Sequence, residues 1–145
     1  MTDLSKIPED LTLQVIPISI DDELFTSYYK IWSDDIENYF PDFSPNDAEF
    51  SDFLLLIYQN QNVGLFVYHP KGEEMHIDVD FVPPAFRNVG IGPSFFKTMK
   101  DDFIKQGFKI LYASTSNELH RNYLLNDLRF TLSDKHPDLY FLMIS

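Results

Sequence analysis

The sequence predicts an α+β domain of about seven strands and four helices. Three observations predict it. Apolar runs of strand length cluster in the middle and at the end of the chain, amphipathic helical stripes separate them, and Gly, Pro or polar pairs punctuate most junctions. The 145 residues, 44% hydrophobic and 16% aromatic, suit a single domain over 1–145 with a substantial core, and residues 1–10 are expected to be a flexible tail.

Each element has its own signal. Residues 11–18, LTLQVIPI, alternate and read as an edge strand, because Pro17 cannot donate to a ladder. Ser19 or Asp21 caps a helix to about Trp32, with Leu24, Phe25, Tyr28 and Ile31 at helical spacing. After the breaker FPDFSP, Ser44 and Pro45 start a second, shorter helix. Residues 53–58 and 63–69 are aromatic-rich strands around a polar QNQN turn. Lys71 and Gly72 turn the chain into 75–82, MHIDVDFV, whose alternation puts Ile77, Val79 and Phe81 on one face and His76, Asp78 and Asp80 on the other. Residues 93–106 carry a Phe96, Met99, Phe103 stripe that stops at Gly107. A strand at 108–114 follows. Thr115 and Glu118 then fit a capping box for a helix over about 116–128, with Leu119, Tyr123, Leu124 and Leu128 inward. Residues 130–133 and 139–144 close the chain as a hairpin.

Composition narrows the chemistry. The absence of cysteine excludes disulfides, thiolate metal sites and a cysteine nucleophile. His69, His76, His120 and His136 have no metal-ligand spacing, so no metal is expected. A net charge of -12 argues against nucleic acid and for a cationic partner. No apolar run approaches the roughly 18 residues of a membrane span, and MTDLSKIPED has no hydrophobic signal core, so a cytoplasmic protein without a membrane partner is expected. Ten acids and one base lie between Asp21 and Asp52, either a solvated face or a mouth for a positive substrate. Between Pro83 and Arg121 the balance reverses to +3.

The stretch FRNVGIGPSF, residues 86–95 and the following Phe96, joins a strand to a helix through two glycines and a proline. It lacks the third glycine of a dinucleotide fingerprint, where Phe95 stands, and the lysine of a Walker A loop. What it retains is a glycine turn that lets helix N-terminal amides approach an anion such as a pyrophosphate, with Arg87 adding charge.

Arg87-Asn88-Val89-Gly90-Ile91-Gly92 resembles the RxxGxG/A signature of the GNAT superfamily of acyl-CoA-dependent N-acetyltransferases. Val82-x-Pro84 resembles the VxP strand ending before it, and Leu128-Arg129-Phe130 stands where the family has LGF. The likeness extends over residues 11–145 and implies α/β/α layers built on a mixed, mostly antiparallel central sheet of about seven strands with four helices. It implies acetyl-CoA as co-substrate, with the amides of Arg87, Asn88, Val89, Gly90, Ile91 and Gly92 on the coenzyme A pyrophosphate. The resemblance further implies that Phe81 and Val82 offer main-chain groups to the pantetheine arm, in a splay between the fourth and fifth strands, and that Asn117 contacts that arm. Lys97 and Lys100 are neighbours of the phosphates or solvated helix lysines.

The same resemblance implies N-acetyltransferase activity by direct attack of an amine on the thioester, which needs a proton acceptor and a donor for the leaving thiolate. A base eleven residues before the arginine position falls on His76, with Asp78 and Asp80 to orient it. The family's tyrosine acid, counted back from Phe130, falls on Leu125, and counted forward from Asn117 on Leu124. Tyr123 is the tyrosine nearest that position, about 200° around the helix from Leu125. The catalytic set is thus His76, Asp78 and Tyr123, and the expected acceptor a small cationic amine. Alternatives are a catalytically decayed acyl-CoA-binding or protein-interaction module, or an acetyltransferase for protein lysines or N-termini. A monomer or a homodimer is expected.

Overall fold

The order of elements is β1 (Gln14–Ile18), α1 (Glu23–Tyr39), β2 (Asp52–Tyr58), β3 (Gln61–Lys71), β4 (Glu74–Phe81), α2 (Ile91–Lys105), β5 (Ile110–Ser114), α3 (Glu118–Asn122), β6 (Thr131–Leu132) and β7 (Leu139–Met143). A single 3-10 turn, Pro84–Phe86, precedes α2, and one π turn, Tyr123–Asp127, extends α3. This computed structural model describes residues 13–45, 51–87 and 90–145. The short helix expected after Pro45 lies outside the described residues, which hold three α-helices rather than four.

The strands form one seven-stranded sheet in the order β1-β2-β3-β4-β5-β7-β6. Every neighbouring pair is antiparallel except β4 and β5. Pro17 sits on the edge strand, where its missing N–H leaves no gap between two partners. The β2–β3 hairpin is tighter than the QNQN turn predicts: Gln59 and Asn60 take φ of 51° and 63°, the left-handed pair that matches strand twist, and Gln61 already belongs to β3.

Helices cover both faces. Phe25, Trp32, Ile36 and Phe40 of α1 and its cap pack on Phe53, Leu55, Leu65 and Val67. Phe95 and Phe103 of α2 pack with Phe66, Met75 and Leu111 on the other face. α1 runs past Trp32 to Tyr39 because Ile36 and Phe40 continue the buried stripe at intervals of four. Leu24, Ile31 and Leu119, expected inward, are exposed; the stripes turn on their neighbours instead.

The decisive irregularity is in β4. Val67 pairs with Val79 but the next residue, Tyr68, pairs with Ile77, so β4 carries an extra residue, Asp78, in a bulge. Met75 and Ile77 pack on the α2 face, whereas Val79 and Phe81 pack under α1. The uninterrupted alternation expected for this strand is therefore corrected. His76 and Asp78 lie on the α1 side, and Asp80 turns to the α2 and α3 side.

Candidate active site at the parting strands

β4 and β5 pair in parallel only where Glu74, Met75, His76 and Ile77 meet Ile110, Leu111, Tyr112 and Ala113. Residues 79–81 keep their β3 partners, and none of residues 78–81 has a partner from β5. A strand edge inside a domain leaves backbone donors and acceptors that need partners.

α2 begins beside this opening. Gly90 takes φ 93°, a left-handed conformation that glycine adopts readily, and among the described residues no side chain caps the helix. Ser94 N–H donates to the Gly90 carbonyl at 3.0 Å, Pro93 has no N–H, and the first-turn amides of Ile91 and Gly92 have no intrahelical acceptor. Such an end favours an anion. Asn88 and Val89 lie outside the described residues.

Arg87 is committed elsewhere. Its Nε donates to the Val82 carbonyl at 2.8 Å and its guanidinium to the Tyr39 hydroxyl at 3.1 Å, and it stacks 4.7 Å above the Tyr39 ring. The side chain ties the turn to the end of α1, and the Val82 carbonyl already accepts one hydrogen bond. Asn117 caps α3, its Oδ1 accepting from His120 N–H at 3.1 Å.

Tyr123 reaches the opening by way of the π turn, in which Leu128 N–H donates to the Tyr123 carbonyl at 3.1 Å, five residues back. The one-residue mismatch between the counts from Asn117 and Phe130 is thus an extra residue inside the helix. A Cβ placed on Gly92 would fall on the Tyr123 hydroxyl. The ring is partly exposed but its hydroxyl end is enclosed; burial, then the charges of Asp80 and Asp127, push the phenol well above the usual tyrosine range. Leu124 is core and Leu125 packs against it. Arg129 holds φ at 64°, so the backbone still takes a left-handed conformation where the resembled motif has glycine.

Asp80 and His120 also meet here. His120 Nε2 lies 2.7 Å from Asp80 Oδ1, and the side chains are 6% and 7% exposed. The angles do not make a well-formed hydrogen bond, which leaves both carboxylate oxygens and both ring nitrogens buried without one. The Phe40 ring approaches His120 edge-on at 5.0 Å.

His76 and Asp78 are not brought to Tyr123. His76 stacks between His69 at 5.3 Å and Tyr112 at 5.2 Å, with Nε2 2.9 Å from Glu74 Oε1, in the paired half of β4. Asp78 receives His69 Nδ1 at 2.9 Å and the Ser51 hydroxyl at 3.0 Å. His120 escaped sequence reasoning because a lone histidine one turn into a helix carries no local signal. Among the described residues, no three His, Cys, Asp or Glu side chains group to hold a metal.

The arrangement is a mixed sheet that parts between two parallel strands, with a glycine-led helix start beside the gap. The chain has the GNAT superfamily fold, as its structural neighbours show. No family model matches the sequence, and no curated protein matches it. An acetyltransferase from Salmonella typhimurium that modifies the N-terminal serine of a ribosomal subunit protein is similar over 96% of this chain and 99% of its own, at 13% identity and a TM-score of 0.70. The ribosomal-protein alanine N-acetyltransferase of Escherichia coli is similar over 92% and 95%, at 17% identity and a TM-score of 0.62. A GNAT family acetyltransferase from Elizabethkingia anophelis, solved with acetyl-CoA bound, is similar over 90% and 97%, at 18% identity and a TM-score of 0.61.

Proposed function

We propose that this chain is an N-acetyltransferase that moves the acetyl group of acetyl-CoA to an amine by direct attack. The observation that carries the reading is the unpartnered half of β4 beside the uncapped start of α2. The main chain at Phe81 and Val82 would pair with the pantetheine amides as an added strand does. The amides of Asn88, Val89, Gly90, Ile91 and Gly92 would take the pyrophosphate, with Asn117 at the edge of the opening; the Arg87 amide, expected with them, already donates to the Pro84 carbonyl at 3.3 Å. Acetyl-CoA supplies an activated thioester carbonyl. Tyr123, kept neutral by burial and two nearby carboxylates, suits the donor role toward the leaving sulfur.

The acceptor we assign is a cationic amine, supported by the net charge of -12. Part of the acidic block serves this reading. Asp34, Asp35, Glu37 and Asp42 are exposed near the end of α1 that touches Arg87 and His120, while Asp21 and Glu23 are at the far end of a 17-residue helix, about 25 Å away. A protein N-terminus is the second reading, favoured by two fold neighbours whose targets are ribosomal proteins.

Calorimetric titration with acetyl-CoA, followed by thiol-release assays over polyamines, aminoglycosides and peptides with free N-termini, tests this. Micromolar binding and turnover with the amines are expected. Turnover with peptides alone moves the acceptor to a protein N-terminus; binding without turnover leaves an acyl-CoA-binding module; no binding removes the reading.

A further inference from the structure

The Asp80 and His120 contact is costly for the fold, since burying a carboxylate and an imidazole is repaid only where their polar atoms are hydrogen-bonded. Here neither group has a well-formed bond. The pair also stands where the sheet opens: the bulge at Asp78 turns Asp80 toward α3, and residues 78–81 have no β5 partner. Unpaired buried polar atoms of this kind call for an explanation beyond packing.

We propose that Asp80 and His120 form the proton-accepting pair of the site, His120 taking the proton and Asp80 positioning it. This rests on the acetyl-transfer reading. Imidazole is suited to accept a proton near neutral pH, where a carboxylate is a weak base. Nε2, 2.7 Å from Asp80 Oδ1, is the nitrogen that carries the hydrogen, which leaves Nδ1 as the basic one. One N–H bond of the substrate ammonium breaks, its electron pair stays on nitrogen, and the proton moves to Nδ1; the imidazolium charge is met by Asp80. The amine lone pair then forms the C–N bond while the C–S bond breaks with its pair on sulfur. Tyr123 gives its proton to that sulfur and regains one from the newly bonded nitrogen, and His120 returns its own to solvent. The groups around His120 are Asp80 from β4, the Phe40 ring from the end of α1, and Asn117, Arg121 and Tyr123 from its own helix, with Asp127 acting on Tyr123. Arg121 Nε is itself buried without a partner.

Histidine 15N NMR of the full chain, with and without coenzyme A, tests the pair on the wild-type protein. The expected spectrum shows His120 as the Nε2–H tautomer, a preference that Asp80→Asn weakens. His120→Gln is expected to bind acetyl-CoA within about threefold of wild type, to lower kcat by about 100-fold and to lose the acid limb of the rate profile, while His136→Gln changes none of these. A His120 that holds the Nδ1–H tautomer overturns the pair, as does an unchanged pH profile in His120→Gln. Absence of acetyl-CoA binding to the wild type, read by calorimetry beforehand, overturns the acetyl-transfer reading and the role of the pair within it. Binding with His120 held as the Nδ1–H tautomer overturns the pair alone.

Discussion

The two halves of β4 carry similar residues and treat them in opposite ways. In the half that pairs with β5, His76 rests between two rings and against Glu74, with 25% and 45% of those side chains exposed. In the half that does not, Asp80 and His120 are enclosed without a well-formed hydrogen bond. Polar groups on a closed ladder can lean into water or onto neighbours; those at a parting of strands are sealed by the elements around it. Unmet polar atoms therefore single out the candidate site better than residue type, and they lie in the half of the strand away from His76.

Mutation can break that contrast. His120→Ala, which leaves a buried Asp80 charge uncompensated, is expected to lower unfolding free energy by about 3–5 kcal/mol in a denaturant titration. His76→Ala, removing a half-exposed partner, is expected to lower it by about 1 kcal/mol or less. Equal losses would mean that the two halves do not differ energetically.

Gly92→Ala is the next largest effect. Its new methyl meets the Tyr123 hydroxyl, and overpacking of this kind costs about 1–3 kcal/mol. The same change in a Tyr123→Phe background should cost less, because the colliding oxygen is gone; an undiminished cost would place the strain elsewhere.

Alkaline titration sharpens the account of Tyr123. Burial, then the Asp52 charge, raises Tyr68 to about 12, and Tyr123 is also raised. A phenol whose folded pKa exceeds the unfolded value of about 10 stabilises the fold below that pH, and the contribution is lost as pH climbs through the folded value. Stability measured by chemical denaturation should therefore fall above about pH 10, less steeply in Tyr123→Phe. The smallest effect is Arg129→Gly. Relief of the left-handed strain, about 1–2 kcal/mol, exceeds the entropy cost of glycine, about 0.5–1, for a net gain of about 0.5–1 kcal/mol by the same measurement.

Much of the architecture is legible in the chain. Seven strands stand in their expected order, Pro17 is on an edge, and the glycine turn opens a helix. These features are local, written in periodicity and punctuation within a few residues. MHIDVDFV reads the same with or without a bulge, because the register of β3 decides whether residue 78 is skipped. The π turn is hidden for a like reason: one inserted residue leaves the apolar spacing readable and rotates Tyr123 to Gly92.

Local pattern, then, settled which segments are strands and helices, where the chain turns, and that a glycine-led helix end follows β4. Tertiary structure alone decided that β4 and β5 part after Ile77, that Asp80 and not His76 faces the opening, and that His120 meets it from forty residues away. Side-chain direction on a strand is defined only relative to its neighbours, and burial only by what closes over it. Neither quantity exists until distant segments pair.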